Sequence, residues 1–327
     1  MALLFCDGFD HYDTAHGGEK WDGFNANIQS GGREANCLFA GFRQGVTKNV
    51  PNSAALIVGA AINPIDYGTE LLAFQDAGNT QVQLILTSAG ALQIQDGNGN
   101  VLGTSASAVV KTGIWQYVEI STVFSATGSA TIHVNSASVL SATGINTIPS
   151  GNSYANGVGL LGSGDGTSFD DVYICDGTGT VNNNFLGDVK IVLATPNGNG
   201  RVNQFSRTGG TSAGNYTAVD DNPPDDDTSY VSSATAGQID AYTITSIGSV
   251  ASIKAVQLVA SSRKDDAGSR VLALGFGNGT TESYDSGHAL GNSYTMLLRP
   301  LDQNPLTSAP WAATDLASGQ LALEVIS

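Results

Sequence analysis

Charged side chains and long apolar runs are scarce in this sequence. Only 13% of its 327 residues are charged, and 29 acidic residues against 13 basic ones give a formal net charge of -16. Such a chain is repelled by DNA and RNA and has no attraction for anionic membranes. No apolar run approaches the roughly 18–20 residues of a membrane span. We therefore expect neither nucleic-acid binding nor membrane insertion.

Cysteine is also rare, with Cys6, Cys37 and Cys175 as the three examples. An odd number without CxxC spacing argues against both a disulfide framework and a zinc site. The N-terminal stretch MALLFCDGFD lacks the charged region and the full apolar region of a secretory signal peptide. These features predict reduced cysteines in a chain that folds in a cytoplasm, with Cys6 and Cys175 on neighbouring strands.

Glycine is abundant, with 41 residues against 9 prolines. The segments Glu70–Asp76, Gln81–Leu86 and Ala91–Asp96 alternate apolar and polar residues and are joined by turns that contain Gly or Asn. Period-two segments with such turns are typical of an antiparallel meander. The sequence therefore predicts an all-β protein with very little helix, built as β-sandwiches of the jelly-roll type.

The stretch from Ser168 to Leu193 separates two halves of the chain. Phe169–Cys175 alternates like a strand, Asp176–Asn184 contains almost only turn-forming residues, and Phe185–Leu193 is apolar again. A second set of alternating segments follows the apparent linker Thr195–Gly200. We predict two consecutive antiparallel β-sandwich domains, at 1–195 and 196–327.

The first half resembles the concanavalin A-like lectin/laminin-G jelly roll. The resemblance is carried by a G-x-W-x-x-V strand and by the segment FDDVYI, that is, by Gly113, Trp115, Val118 and residues 169–174. The segments FCDGFDHY and NNNFLGDVKI resemble, more narrowly, tailed-bacteriophage virion proteins that carry such a jelly roll near the N-terminus. In the second half, Ile253–Arg270 and Pro310–Val325 resemble the second β-sandwich of the same proteins.

This resemblance implies a structural component of a virion, assembled in the host cytoplasm with copies of itself and with other virion proteins. Tail tip, fibre or spike is the implied position, with host-surface polysaccharide as a further partner. Three alternatives remain open: a capsid decoration or head-fibre protein, a carbohydrate-binding lectin module, and a polysaccharide depolymerase.

Catalytic residues are not evident. Glycoside hydrolysis needs two carboxylates about 5–10 Å apart, and the nearest candidate, Glu119 in WQYVEI, has no carboxylate partner close in sequence. None of the four histidines follows a nucleophile turn, and His133 is expected to face outwards from its strand. We predict a chain that is not an enzyme and has no catalytic residue.

No cofactor is predicted, and calcium is the one ion that the sequence brings into consideration. Hard cations bind clustered oxygen ligands. Candidates are Asp165, Asp170 and Asp171, or the acidic run Asp220–Asp227. Strand alternation would place Asp170 and Asp171 on opposite faces, which argues against a shared ion.

Large aromatic residues more often fill cores than bind ligands. We predict structural roles for Phe169, Trp115 and Tyr173. Aromatic platforms for a glycan could come from a wider set: Trp21, Tyr67, Trp115, Tyr154 and Tyr284.

Overall fold

The computed structural model describes residues 2–211 and 214–327, and the chain divides into two compact units, Met1–Ile191 and Val192–Ser327. Strands hold 48% of the residues and helices 4%, which confirms the prediction of an all-β sandwich protein. No helix in the described ranges has the length and hydrophobicity needed to cross a membrane.

The first unit consists of antiparallel strands and one short helix. Within its described residues the elements are β1 (Leu3–Asp7), α1 (Gly17–Lys20), β2 (Gly23–Asn25), β3 (Asn27–Ser30), β4 (Asn36–Ala40), β5 (Gln44–Ser53), β6 (Ala55–Pro64), β7 (Thr69–Asp76), β8 (Asn79–Leu86), β9 (Leu92–Asp96), β10 (Val101–Thr104), β11 (Gln116–Val123), β12 (Gly128–Val134), β13 (Ala137–Ile145), β14 (Ala155–Gly162) and β15 (Thr167–Cys175).

Two sheets face each other in this unit. One has eight strands in the order β13-β12-β11-β6-β15-β4-β3, with β1 beside β15, and the other has seven in the order β10-β9-β8-β7-β14-β5-β2. Alternate apolar side chains of both sheets are buried between them, among them Phe5, Phe74, Leu84, Ile120, Leu160 and Phe169. Period-two alternation thus supplies one apolar face per sheet, as a sandwich requires.

The terminal strands of this unit are neighbours. Leu3 pairs with Cys175 and Cys6 pairs with Tyr173, so Cys6 and Cys175 lie on adjacent strands as predicted. No disulfide joins the three cysteines, all of which lie in the described residues.

The first strand of the second unit begins at Pro196. Its described elements are β16 (Pro196–Asn203), β17 (Ser206–Thr208), a 3₁₀ turn (Asn215–Ala218), β18 (Tyr230–Ser232), β19 (Ile239–Ile244), β20 (Val256–Ser262), β21 (Val271–Gly277), β22 (Glu282–Tyr284), β23 (His288–Ala289), β24 (Thr295–Leu301), α2 (Ala313–Ala317) and β25 (Gln320–Val325). Thr195–Gly200, predicted as a linker, therefore contributes most of its residues to β16.

A six-stranded sheet dominates the second unit. Its order is β16-β19-β25-β21-β22 with β23 beside β21, and β17-β18 and β20-β24 form two further pairs. The core contains Phe205, Leu258, Leu274, Phe276, Leu297 and Trp311, among others. The ring of Phe276 meets that of Trp311 edge-on at 4.9 Å, a favoured geometry for aromatic pairs.

The segment from Asp176 to Ile191 has no regular strand, although its second part is apolar. It lies instead against the outward face of the eight-stranded sheet. The backbone N–H of Ile191 donates to Asp171 Oδ1 at 2.6 Å, and that of Gly187 donates to Glu119 Oε1 at 2.8 Å. Side chains of the sheet satisfy its backbone in place of a neighbouring strand.

Candidate functional site

The seven-stranded sheet directs glutamine side chains away from the core. Val82, Leu84 and Ile94 are buried in the sandwich. Because successive residues of a strand point to opposite faces, Gln83, Gln93 and Gln95 project from the other side, where all three are half-buried. We call this outward surface the amide face and define it by Gln75, Gln83, Gln93, Gln95, Thr104, Ala73, Gly157, Gly159 and Thr47.

The amides of this face form a continuous ladder of hydrogen bonds. Gln83 Nε2 donates to Gln95 Oε1 at 3.0 Å, and Gln95 Nε2 donates to Gln93 Oε1 at 2.6 Å. Gln93 Nε2 in turn donates to Thr104 Oγ1 at 3.1 Å. Each amide has two N–H donors and two acceptor lone pairs. The ladder therefore orders the side chains and leaves hydrogen-bonding capacity for a ligand.

A floor of small residues lies beside the ladder. Ala73 pairs with Gln83 on one side and with Gly159 on the other, while Gly157 pairs with Gln75. A Cβ atom built on Gly157 would stand 3.2 Å from Gln75 Oε1. These small residues are buried, and the side chains of Gln75 and Leu161 lie closest to Gly157 and Gly159, so the amide groups form the surface of the face.

An open depression of about 430 Å³ continues the face on strands β2, β5 and β14. Its lining includes Phe24, Arg43, Thr47, Glu70 and Leu161. Burial raises the pKa of the Glu70 carboxyl. An aromatic ring, hydroxyls and amides thus lie beside the glutamine ladder, which carries no charge. Such groups both donate and accept hydrogen bonds, as sugar hydroxyls do.

The residues predicted to be structural lie elsewhere. Phe169 and Tyr173 are buried on β15. Trp115 is only half-buried and precedes β11, because that strand begins at Gln116 rather than at Gly113. Of the aromatic residues considered for glycan contact, Trp21 is buried in the core and Tyr67 is exposed at a loop.

Asp170 and Asp171 both meet Arg33. The backbone N–H of Arg33 donates to Asp170 Oδ2 at 2.6 Å, and its guanidinium Nη1 lies 3.0 Å from Asp171 Oδ2 without good hydrogen-bond alignment. Asp171 has a positive φ of 48° at a β-bulge. The bulge interrupts the regular alternation that we expected of this strand, and one arginine serves both carboxylates.

The third calcium candidate, Asp165, is apart from these two. Its backbone N–H donates to Asp66 Oδ2 at 3.1 Å in a loop. In the acidic run, Asp221 and Asp225 accept from the Ser229 hydroxyl, at 2.9 Å in each case. The structure therefore brings Asp170 and Asp171 together and leaves the other candidates in separate loops.

We predict that Asp170 titrates near neutral pH. Burial, with Asp171 and Asp10 nearby, raises its pKa from 3.8 to about 7. Between these values the folded chain holds a proton that the unfolded chain has lost, so this group lowers the free energy of unfolding as pH rises from about 4 to 7. Carboxyl ¹³C NMR should give a midpoint near 7, assigned by its loss in Asp170→Asn. A midpoint below 5 contradicts the prediction.

Sequence reasoning missed the glutamines of the amide face. The signal was present, since QVQLIL and LQIQD place Gln at alternate positions of two adjacent strands. The sequence around these glutamines does not show which strand lies beside them. That strand is β14, residues 155–162, so the glycines of the amide face are far from its glutamines in the sequence.

Comparison with known proteins gives structural likeness only. No family model matches the sequence, and no curated protein matches it. Among solved structures, cellulose induced protein Cip1 is similar at 14% identity and a TM-score of 0.39, over 52% of this chain and 96% of that one. An endo-β-1,4-glucuronan lyase from Trichoderma reesei is similar at 14% identity and a TM-score of 0.39, over 52% of this chain and 94% of that one. Alginate lyase Aly36B is similar at 11% identity and a TM-score of 0.34, over 50% of this chain and 91% of that one.

The prediction that the chain is not an enzyme is corrected by this comparison. Two of these structures are named as a glucuronan lyase and an alginate lyase. The activities in those names are those of the named proteins.

Proposed function

We propose that the first unit binds an uncharged polysaccharide along the amide face. The ladder of Gln83, Gln95 and Gln93 is the observation that carries this proposal. Neighbouring strands lie about 4.8 Å apart, so the four strands from β9 to β14 span about 14 Å. A surface of that width, lined by ordered amides, suits several units of a polymer.

The polarity of the face favours a neutral ligand over an acidic one. The net charge of -16 opposes the approach of a polyanion. Amides pair with hydroxyls without requiring a charge, and pre-ordering of the side chains reduces the entropy lost on binding.

The test is binding of soluble neutral glucans, with alginate as an acidic counterpart, measured by titration calorimetry on the whole chain. The decisive variant is Gly159→Val. A Cβ at Gly159 meets its nearest atom, Gln75 Nε2, at 3.6 Å, and valine favours strands. The strand should tolerate the change, while the new side chain displaces the Gln75 amide from the amide face. We expect at least a tenfold loss of affinity.

Gln29→Leu is the matched control, because Gln29 is an exposed glutamine on β3 of the other sheet. It should bind as the unmodified chain does. Equal binding by Gly159→Val, or a preference for alginate, contradicts the proposal. The same samples should be assayed for new reducing ends and for unsaturated products, which shows whether binding is accompanied by cleavage.

We further propose that the chain is a component of a tailed-phage particle, where this face would contact host-surface glycan. The support is the sequence resemblance of the segments FCDGFDHY and NNNFLGDVKI, and of Ile253–Arg270 and Pro310–Val325 in the second half. Electron microscopy of particles labelled with antibody against the chain would locate it on tail or capsid. Particles that carry no label, while infected cells contain the chain, would refute this placement.

A further inference from the structure

The outward face of the eight-stranded sheet has a buried carboxylate that the polysaccharide proposal does not use. Glu119 on β11 is 1% exposed. Its Oε1 accepts from the Tyr173 hydroxyl at 2.6 Å and from the Gly187 N–H at 2.8 Å. Burial and the Glu119 carboxylate raise the pKa of Tyr173 well above its usual value, so the phenol keeps its proton and donates.

Gly59 makes this arrangement fit. It pairs with Glu119 on one side and with Tyr173 on the other. A Cβ on Gly59 would lie 2.2 Å from the Tyr173 ring. The tyrosine therefore lies over bare backbone, and its hydroxyl reaches the carboxylate.

The second oxygen of Glu119 lacks a partner. Within the described residues, Oε2 is buried and has no hydrogen-bond partner, and no lysine or arginine there forms an ion pair with Glu119. Both known donors to this carboxylate are uncharged. A carboxylate removed from water normally has a counter-charge or a full set of donors. In the described part of the chain, Oε2 therefore has neither a cation nor a donor beside it.

Glu119 lines an open depression in which a cationic hydrogen-bond donor can reach the carboxylate. The depression has a volume of about 570 Å³ and is lined by Glu119, His133, Ser136, Asn184, Phe185, Leu186 and Gly187. His133 is directly opposite Glu119 in the strand register, and its ring lies 4.1 Å from the Phe185 ring. Aromatic faces beside a carboxylate attract organic cations.

We propose that this depression is a binding site for a primary ammonium group, carried by a free amine or by a lysine side chain. The N–H donors of the ammonium satisfy Glu119 Oε2, its charge neutralises the carboxylate, and its carbon stem packs against Phe185. Ser136 and Asn184 offer further hydrogen bonds at the mouth. The acidic chain as a whole attracts cations to the site.

NMR titration of the whole chain, with labelled histidine and tyrosine, tests this proposal. The probes are methylammonium and Nα-acetyl-lysine methylamide, which represent the two sources. Both should saturate shifts of His133 and Tyr173. Tetramethylammonium has the charge without N–H donors, and we expect it to bind at least tenfold more weakly. Equal binding of tetramethylammonium, or no saturable shift with either amine, overturns the proposal.

Two variants distinguish binding at this site from general electrostatic attraction to the acidic chain. Glu119→Gln keeps an acceptor for Tyr173 and replaces the bare oxygen by a donor, so amine affinity should fall at least tenfold. Glu34→Gln removes the same charge from an exposed position that pairs with Lys190, and it should change affinity less than twofold. Similar losses in both variants refute a specific site.

If Glu119→Gln does not fold, a third variant can test the same site. Asn184 is exposed at the mouth of the depression. Asn184→Lys places a tethered ammonium there, which should compete with added amine and reduce its affinity at least tenfold. Unchanged affinity in this variant contradicts the proposal.

Discussion

Replacing Asp7 with asparagine is expected to lower the free energy of unfolding of the first unit by about 3–5 kcal/mol. Asp7 is fully buried, and Lys20 Nζ lies 2.9 Å from its Oδ1. Tyr12 and Trp21 donate to Oδ2 at 2.7 and 2.8 Å. The asparagine leaves the buried ammonium of Lys20 without a counter-charge, which is the costly outcome when one member of a buried pair is removed.

The double variant Asp7→Asn with Lys20→Met separates charge from packing. It removes both members of the pair, so much of the loss should be recovered, because a buried ion pair is often replaceable by apolar groups. Hydrogen-exchange mass spectrometry in increasing urea, read on peptides from β1 and β15, measures the first unit without interference from the second. A double variant as unstable as the single one would show that hydrogen bonds, rather than charge, determine the cost.

Phe169→Ala should destabilise the same unit by about 3–5 kcal/mol. The ring is 1% exposed, and the residue pairs with Leu38 on β4 and Ile62 on β6. Its removal opens a cavity between the two sheets, where the rigid strands β4 and β6 on either side of β15 limit collapse.

Thr131→Ala is the control for this change. Thr131 lies on β12 of the same sheet, and its hydroxyl meets that of Ser141 at the surface. Surface substitutions usually alter stability by less than about 0.5 kcal/mol. The same urea and exchange measurement applies. A loss below about 1 kcal/mol for Phe169→Ala would place the ring outside the cooperative core.

Period-two alternation predicted the strands well where each one has a polar and an apolar face. The segments assigned at 70–76, 81–86, 91–96 and 169–175 are all strands in the structure. The pattern was less informative at Thr195–Gly200, where the glycines and asparagines of a turn composition form the edge strand β16. An edge strand needs few apolar residues, and its pairing with β19 is not encoded locally.

Local sequence patterns also failed to predict helix α2 and the residues that cover the outward face of the eight-stranded sheet. Pro310–Ile326 was predicted as an alternating strand segment, yet it contains helix α2 before β25. His133 was expected to face outwards, and it does lie on the outward face, but the Phe185 ring packs against it at an interplanar angle of 33°. The contact joins residues 52 positions apart, so no window of the sequence could show that the Glu119 depression exists.

The pairing of β1 with β15 has a consequence for synthesis of the chain. Leu3 and its partner Cys175 are separated by 172 positions. During synthesis, β1 therefore cannot pair with β15 until nearly the whole unit has been made. Contacts of such long range slow folding. During that time its apolar residues have no sheet to join. Nascent chains shorter than about 175 residues should be sensitive to protease and should engage chaperones, whereas chains that extend past Ile191 should become resistant.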